Sequence, residues 1–297
     1  MSAVDQGRLD QEFEERRDGP LRRIYVAANR SARTFDERRK AGLADLIVLS
    51  HAKSGRTWLR VMLSHLYGTR YGLRQGQMLE FDNLHRQNPA IPRVLFSHGY
   101  FLRDRLDAYR AKPFLFLVRN PIDVAVSQYF QFTKRTKQRN KDLINNPAGM
   151  EQVPMFDFVL HPQNKVGLYP IVDFLNDWTR RLEGRANVRR VRYEDMHGAP
   201  AETLRGVLDF IGSDVTDQQI ADTVAFSDAE NLRKLERQNF FHSARLAPRD
   251  PGDPDSYKVR RAKVGGYRDY FDEAQIVELE RVVAERLDPS FGYSEAV

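Results

Sequence analysis

The most informative stretch of this 297-residue chain reads Ile47-Val48-Leu49-Ser50-His51-Ala52-Lys53-Ser54-Gly55-Arg56-Thr57-Trp58-Leu59. Its apolar beginning predicts a buried strand, and the apolar spacing that starts at Leu59 predicts a helix. A polar turn joins the two. A strand, a tight turn and a helix start together present backbone N–H groups and the positive end of a helix dipole to an anion. The stretch therefore predicts an anion-binding loop.

The side chains of this turn suit a phosphate or a sulfate. Lys53 adds a positive charge, Ser54 and Thr57 add hydroxyl donors, and Gly55 lets the backbone approach closely. The Walker spacing G-x-x-x-x-G-K-[ST] is absent. The turn instead resembles the 5′-phosphosulfate loop of the sulfotransferase family, P-K-S-G-T-T-W, which stands here as Ala52-Lys53-Ser54-Gly55-Arg56-Thr57-Trp58. The alternative is an ordinary strand-to-helix turn with a surface lysine.

A second strand–helix junction extends the resemblance. The apolar run at residues 114–118 predicts a strand, Asn120 is a good N-cap, and Pro121 suits the first helical position. Arg119 then lies at the carboxyl end of a strand, where open α/β sheets bind ligands. The family pattern R-N-P-x-D-V-x-x-S matches residues 119–127. The resemblance implies that Arg119 and Ser127 bind the 3′-phosphate of the nucleotide.

A basic segment near the C-terminus is the third motif in the family's order. It reads Val259-Arg260-Arg261-Ala262-Lys263-Val264-Gly265-Gly266-Tyr267-Arg268-Asp269-Tyr270-Phe271 and resembles R-K-G-x-x-G-D-W-K-N-x-F. Adjacent arginines can clamp a phosphate dianion, so Arg260 and Arg261 are further candidates for the 3′-phosphate. Ala262 replaces the family's glycine, which puts in doubt how closely the backbone approaches a phosphate there.

The resemblance implies an activity. Members of the family transfer a sulfuryl group from 3′-phosphoadenosine 5′-phosphosulfate (PAPS) to a hydroxyl or an amine, leaving adenosine 3′,5′-bisphosphate (PAP). His98, at the end of a predicted strand, matches the histidine of the family's K-T-H and is the expected general base. The family's lysine in that motif is Phe96 here, so Lys53 is expected to carry the charge near the sulfate and to be catalytic with His98.

The resemblance also assigns the residues that hold PAPS. Trp58 and Phe226 are expected to face the adenine from two sides, and Tyr193 is expected to hydrogen-bond near it. The full set of predicted cofactor-binding residues is Lys53, Ser54, Gly55, Arg56, Thr57, Trp58, Arg119, Ser127, Tyr193, Phe226, Arg260 and Arg261.

The order of predicted elements indicates the fold class. Strands at 44–50, 92–97, 113–119 and 187–192 alternate with helices, which predicts a P-loop-like single α/β domain with a central parallel sheet flanked by helices. Further helices are predicted at 155–160, 168–182, 200–211, 217–225, 228–237 and 273–286. Residues 43–297 form the predicted sulfotransferase domain, and residues 1–42 form a charged N-terminal arm that could contact a second subunit. The irregular stretch at 239–266 is long enough to suggest a functional loop.

Composition excludes several kinds of chemistry. The chain has no cysteine, which excludes disulfides and thiolate catalysis, and its seven histidines show no metal-binding spacing, so no metal is expected. The net charge of +6 suits a polyanionic ligand such as PAPS, and no nucleic-acid-binding motif accompanies it. No apolar stretch reaches the ~18–20 residues of a membrane span, and no apolar leader begins the chain. The sequence predicts a soluble, cytoplasmic protein.

The acceptor is left open by the sequence. Aromatic residues scattered through the predicted acceptor segments suit a small-molecule phenol, a stacked carbohydrate or a hydroxylated lipid: Tyr100, Phe101, Tyr129, Phe132, Tyr169 and Phe240. Three other functions compete with sulfuryl transfer. A nucleotide-kinase-like transferase would need the missing Walker lysine–serine pair. A nucleotide-binding module would need no His98, and a nucleic-acid binder would show steep salt dependence.

Overall fold

A computed structural model describes residues 20–293 except 138–140, 142–143, 145 and 148. Its central sheet is parallel and has the strand order β2-β1-β3-β4. The strands are β1 (Leu46–Leu49), β2 (Val94–Ser97), β3 (Phe114–Val118) and β4 (Val188–Arg192). Each lies within the range predicted from the sequence. The P-loop-like α/β architecture is therefore confirmed.

Helices flank the sheet on both faces. They are α1 (Pro20–Leu43), α2 (Arg56–Arg70), α3 (Pro121–Phe130), α4 (Met155–Leu160), α5 (Leu168–Leu182), α6 (Tyr193–Gly198), α7 (Pro200–Phe210), α8 (Asp217–Phe226), α9 (Ala229–Arg237) and α10 (Glu273–Arg286). Helix α3 continues into a π-helical turn at Gln131–Arg135, and the stretch at 239–266 contains only short 3₁₀ turns. Within the described ranges, no helix is both long and apolar enough to cross a membrane.

Alternation along the strands divides the apolar core between two faces. Ile47 and Leu49 pack with the side chains of α3, α5 and α10, whereas Leu46 and Val48 pack with those of α2 and α7. Successive residues of a strand point to opposite faces, so strands covered on both sides read as continuous apolar runs. This explains why β1 and β3, which are fully buried, read as short runs of branched and aromatic residues, whereas the edge strand β4 carries three arginines.

The N-terminal arm is not separate from the domain where the structure describes it. Helix α1 docks on the body: Ala41 is fully buried, Arg38 Nε donates to the Phe101 carbonyl at 3.0 Å, and the Ser97 hydroxyl donates to the Glu37 carboxylate. The predicted boundary after residue 42 therefore falls inside a helix and not at a linker. Residues 1–19 of the predicted arm lie outside the described residues.

The strand order places a crevice at one edge of the sheet. From β1 the chain passes to β2 on one side, and it then crosses to β3 on the other side. Ligands of open α/β sheets bind at such a reversal, beyond the carboxyl ends of the strands. The register aligns Leu49 with both Ser97 and Phe116, so the loops that follow β1, β2 and β3 lie side by side.

Candidate functional site

A cavity of about 470 Å³ lies beyond the carboxyl ends of the strands. Its volume is within the range of roughly 300–1,000 Å³ that small-molecule sites occupy. It brings together most of the residues assigned from the sequence, namely Lys53, Gly55, Arg56, Thr57, Trp58, His98, Arg119, Ser127, Tyr193, Arg260 and Arg261. Ser54 lies buried beneath the loop, and Phe226 does not line the cavity.

The loop after β1 has the backbone of an anion-binding turn. Lys53 and Gly55 both have a positive φ, of 72° and 100°, and Gly55 precedes the first turn of α2. A Cβ at Gly55 would lie 2.8 Å from the Tyr193 ring, so only glycine fits. The Ser54 hydroxyl is buried and has no hydrogen-bond partner among the described residues. The loop thus carries a hydroxyl donor that the described residues leave without an acceptor.

The second motif holds Arg119 loosely at the cavity wall. Its guanidinium pairs with Asp123 at 3.3 Å and lies 4.2 Å from the Tyr193 ring centroid, and its hydrogen bonds to two backbone carbonyls are long, at 3.4 Å. Arg119 Nε has no partner in the described part of the chain. A ligand oxyanion would provide stronger acceptors than these carbonyls.

Asp123 connects the second motif to the third. Its buried carboxylate accepts hydrogen bonds from the backbone N–H groups of Gly265 and Tyr267, both at 3.0 Å. A carboxylate in the first turn of α3 also suits the positive end of the helix dipole. Its larger role is to dock the C-terminal segment beside Arg119, and no spacing within either motif could show this contact.

The C-terminal motif keeps its arginines at the cavity despite the missing glycine. The Arg260 guanidinium lies 3.6 Å from the Phe130 ring centroid and donates to the Tyr270 hydroxyl at 2.9 Å, and Arg261 pairs with Asp269 at 2.8 Å. Ala262 itself adopts a φ of 50°, and its carbonyl accepts a hydrogen bond from a histidine ring at 2.8 Å. The left-handed conformation costs alanine roughly 1–2 kcal/mol, and the docked segment retains it.

The aromatic end of the cavity differs from the expectation for adenine. Trp58 lines the cavity, meets the Tyr193 ring edge-on at 5.7 Å and donates its indole N–H to the Ser227 carbonyl at 2.8 Å. Phe226 instead stacks on His65, with centroids 3.9 Å apart, because α8 packs on α2. The position of Phe226 does not support its predicted contact with the face of the adenine opposite Trp58.

His98 is held at both ring nitrogens. Nδ1 lies 3.1 Å from the Ser50 carbonyl, and Nε2 lies 2.5 Å from Nη2 of Arg56. A carbonyl only accepts, so Nδ1 carries the proton and Nε2 accepts from Arg56. Burial, followed by the charge of Arg56, holds the pKa of His98 well below its usual 6.5. The imidazole is therefore neutral, but its free lone pair is occupied by Arg56.

The charges around the cavity are mainly positive. The cations of its lining are Lys53, Arg56, Arg119, Lys258, Arg260, Arg261 and Lys263, and the acids are Asp123 and Asp228. Among the residues that the structure describes, Lys53, Arg56 and Lys258 make no ion pair with a carboxylate. Lys53 reaches only the Gln131 side-chain oxygen, at 3.3 Å. Burial and then the nearby Lys258 charge hold the pKa of Lys53 well below 10.5.

Sequence reasoning missed Lys258 and its support. Glu236 is fully buried, and its carboxylate accepts from the backbone N–H groups of Lys258 at 2.5 Å and Val259 at 2.9 Å. Arg135 lies 3.6 Å from the same carboxylate and also donates to the carbonyls of Ser256 and Ala247. These contacts fix the irregular stretch over the cavity. The irregular stretch has no periodic sequence pattern. Nothing in the sequence therefore pointed to Lys258 or to its contact with Glu236.

The predicted acceptor-binding aromatics are mostly structural. Tyr129 and Phe132 pack on Phe158 in the core, at 5.2 and 5.7 Å between centroids. Tyr169 packs against the same core, and Phe240 packs on Phe226 and Phe241. Tyr100 is different, since it is 54% exposed and its ring lies 6.0 Å from that of His98. It is the better candidate to meet an acceptor.

His51, beside the loop, makes the free energy of unfolding depend on pH. Its buried ring contacts the Ala52 carbonyl at 3.0 Å, and burial lowers its pKa to about 4. A depressed pKa gives stability that is present above the unfolded value of 6.5 and lost as the pH falls toward 4. We expect His51 to account for a loss of about 2 kcal/mol between pH 7.5 and 5. Urea unfolding should show a smaller loss in His51→Gln, and equal losses would contradict this role.

Comparison with known proteins agrees with the three motifs. A family model described as the sulfotransferase domain matches residues 43–291. Sulfotransferase 6B1 of Gorilla gorilla gorilla is 26% identical over 254 residues, which span 82% of this chain and 76% of the relative. Cytosolic sulfotransferase 13 of Arabidopsis thaliana is 24% identical over 267 residues, with 82% and 77% covered.

Solved structures show the same fold. Mouse sulfotransferase SULT7A1 complexed with PAP has a TM-score of 0.56 at 17% identity, covering 84% of this chain and 87% of its own. Retinol dehydratase in complex with androsterone and inactive cofactor PAP has a TM-score of 0.53 at 17% identity, covering 81% and 80%. Since the family model spans most of the sequence, the resemblance is confirmed: this chain belongs to the sulfotransferase domain family and is a sulfotransferase.

Proposed function

We propose that the cavity binds PAPS and that the protein transfers its sulfuryl group to a hydroxyl of a small-molecule, carbohydrate or lipid acceptor, with an amine as the second-ranked alternative. The observation that carries this proposal is the arrangement at the strand ends. Cations without carboxylate partners, Lys53 and Arg56, lie beside a neutral histidine, His98, in one cavity. Such a site attracts a polyanion and also offers a base. The cytoplasmic location and a homodimer stay predictions.

The residues present fit the proposed donor. The Ser54 hydroxyl and Arg119 Nε are buried donors that lack partners among the described residues, one in each of the first two motifs. The cationic excess of the cavity would compensate the charges of a phosphosulfate and a 3′-phosphate. In this assignment Lys53, Ser54 and the loop hold the phosphosulfate, while Arg119, Ser127 and Arg260 hold the 3′-phosphate.

The transfer exchanges one bond to sulfur for another. PAPS supplies an activated sulfuryl group: an S–O bond to the acceptor oxygen forms while the S–O bond to the 5′-phosphate breaks, and the departing phosphate keeps the electron pair. Lys53, protonated beside an anion, would compensate the charge that develops on the departing oxygen. His98 would take the acceptor proton at Nε2 and hold Nδ1–H on the Ser50 carbonyl.

Arg56 controls when His98 can act. Its guanidinium donates to Nε2 in the structure described here, so that nitrogen cannot accept an acceptor proton at the same time. An anion is a stronger partner for a guanidinium than a neutral imidazole is. We infer that binding of the phosphosulfate draws Arg56 away and frees Nε2, which couples donor binding to the availability of the base.

The proposed function predicts a selective response to the bisphosphate. PAP should raise the melting temperature more than AMP or ATP does, because only PAP carries a 3′-phosphate for Arg119, Ser127 and Arg260. A ligand that binds only the folded state adds about 2.7 kcal/mol at a hundredfold excess over its Kd. Differential scanning fluorimetry gives the comparison.

A pair of variants makes this measurement specific. Arg260→Ala should reduce the PAP shift, whereas Arg281→Ala, on an exposed face of α10 between Glu278 and Glu285, should not. Equal shifts for AMP and PAP would contradict the 3′-phosphate site. An acceptor screen with labelled PAPS then tests the transfer itself.

A further inference from the structure

Lys258 lines the cavity but belongs to none of the three motifs. In the described ranges, its ammonium group makes no hydrogen bond or ion pair. Lys263, five residues later in the same segment and also at the cavity, pairs with Asp269 at 2.7 Å. Lys258 is half-buried, so water solvates its charge only in part, and no acceptor of the described residues replaces the lost water. The arrangement indicates that the partner of Lys258 is a ligand.

The backbone of Lys258 is fixed even though its side chain has no partner. The buried Glu236 carboxylate holds two consecutive N–H groups, at Lys258 and Val259, and Arg135 supports that carboxylate at 3.6 Å. A lysine on a mobile loop would reach a cavity only occasionally. Here the main chain is anchored on α9 and on the π-helical turn after α3, so the ammonium group is presented to the cavity.

Lys258 shares its cavity with Lys53 and His98, the two residues proposed to act on the transferred group. Burial is the largest cause that lowers the pKa of Lys53, and the charge of Lys258 is the next largest. The charge of Lys258 also contributes to lowering the pKa of His98. Burial and the charges of Arg135 and Arg56 lower the pKa of Lys258 itself to about 8. Lys258 lines the same cavity as Lys53 and His98 and lies within electrostatic range of both.

We propose that Lys258 binds the sulfuryl group of the donor, separately from the nucleotide; this rests on the proposed function. Its N–H groups would donate to the sulfuryl oxygens before and during transfer. It forms no covalent bond and gives up no proton in the step. Lys53 is left to the bridging oxygen and the 5′-phosphate, and Lys258 compensates the charge of the group that moves.

The test compares two ligands that differ in the sulfuryl group. The Kd values of PAPS and PAP are measured by calorimetry, without acceptor, for the wild type and for Lys258→Met, which keeps most of the aliphatic stem. We expect the variant to bind PAPS about tenfold more weakly, the scale of losing a hydrogen bond to a charged group, and to bind PAP within about twofold of wild type. The matched control is Lys263→Met, which should leave the PAPS-to-PAP ratio unchanged.

Each outcome decides the inference. Equal weakening of PAPS and PAP in Lys258→Met would assign Lys258 to the nucleotide, and no weakening of either would remove it from the site; both results overturn the proposal. If the wild type binds neither ligand, the proposed function fails as well, which separates the two failures. Lys258→Gln gives the same ratio if the methionine variant does not fold, and Lys258→Arg should retain the preference for PAPS.

Discussion

His98→Ala is expected to lower the rate of sulfuryl transfer by about 10²–10⁴, the usual contribution of a positioned acid–base group. The variant should bind PAP nearly as well as wild type, because His98 contacts the Ser50 carbonyl and Arg56 and not the predicted 3′-phosphate site. Single-turnover transfer from PAPS to an acceptor found by screening measures the first effect. Calorimetry with PAP measures the second.

Two further variants separate proton transfer from hydrogen bonding. His98→Asn should be as impaired as His98→Ala, since an amide can accept a hydrogen bond but cannot take the proton. Arg56→Thr removes a charge that lowers the pKa of His98, so that pKa should rise and the acid limb of kcat/KM should move to higher pH. In the wild type the limb should lie below pH 6.5. Retained activity in both His98 variants would mean that another group is the base.

Lys53→Ala is expected to lower kcat by a factor on the order of 10²–10³, the scale of losing one well-placed electrostatic group. The melting temperature should change little, because the Gln131 side chain, at 3.3 Å, is the one hydrogen-bond partner of the Lys53 ammonium group among the described residues. Lys234→Ala is a suitable control, since Lys234 is exposed on α9 and outside the cavity. Near-normal turnover in Lys53→Ala would show that the loop after β1 does not hold the sulfate.

The elements that carry their own pattern were predictable from the sequence. The apolar runs of β1 and β3, the capping residue Asn120 and the spacing in α5 and α10 gave bounds close to those of the structure. The loop after β1 was also predictable, because its chemistry is local: a glycine in the left-handed region, a lysine and hydroxyl donors before a helix. In each case neighbouring residues alone determine the outcome.

Contacts between distant segments were not predictable. The hydrogen bond from Arg56 to His98 joins two strand ends, and the one from Lys258 to Glu236 joins an irregular stretch to a helix. Neither hydrogen bond follows from a periodic pattern in the sequence. Phe226 was assigned by its motif, but the packing of α8 on α2 directs its ring to His65. Phe132 was expected in an acceptor pocket and is core, because α3 and its extension are covered by neighbouring helices.

The docking of α1 shows that the matched family domain and the folded unit begin at different residues. The match to the family model begins at residue 43, but Glu37 and Arg38, just before it, contact Ser97 and Phe101 on either side of His98. A helix outside the inherited module therefore braces the strand end that presents the proposed base. The part of the chain that matches the family model is therefore smaller than the part that supports the proposed base, and under the proposed function we expect substitutions in α1 to change the transfer rate while every motif stays intact.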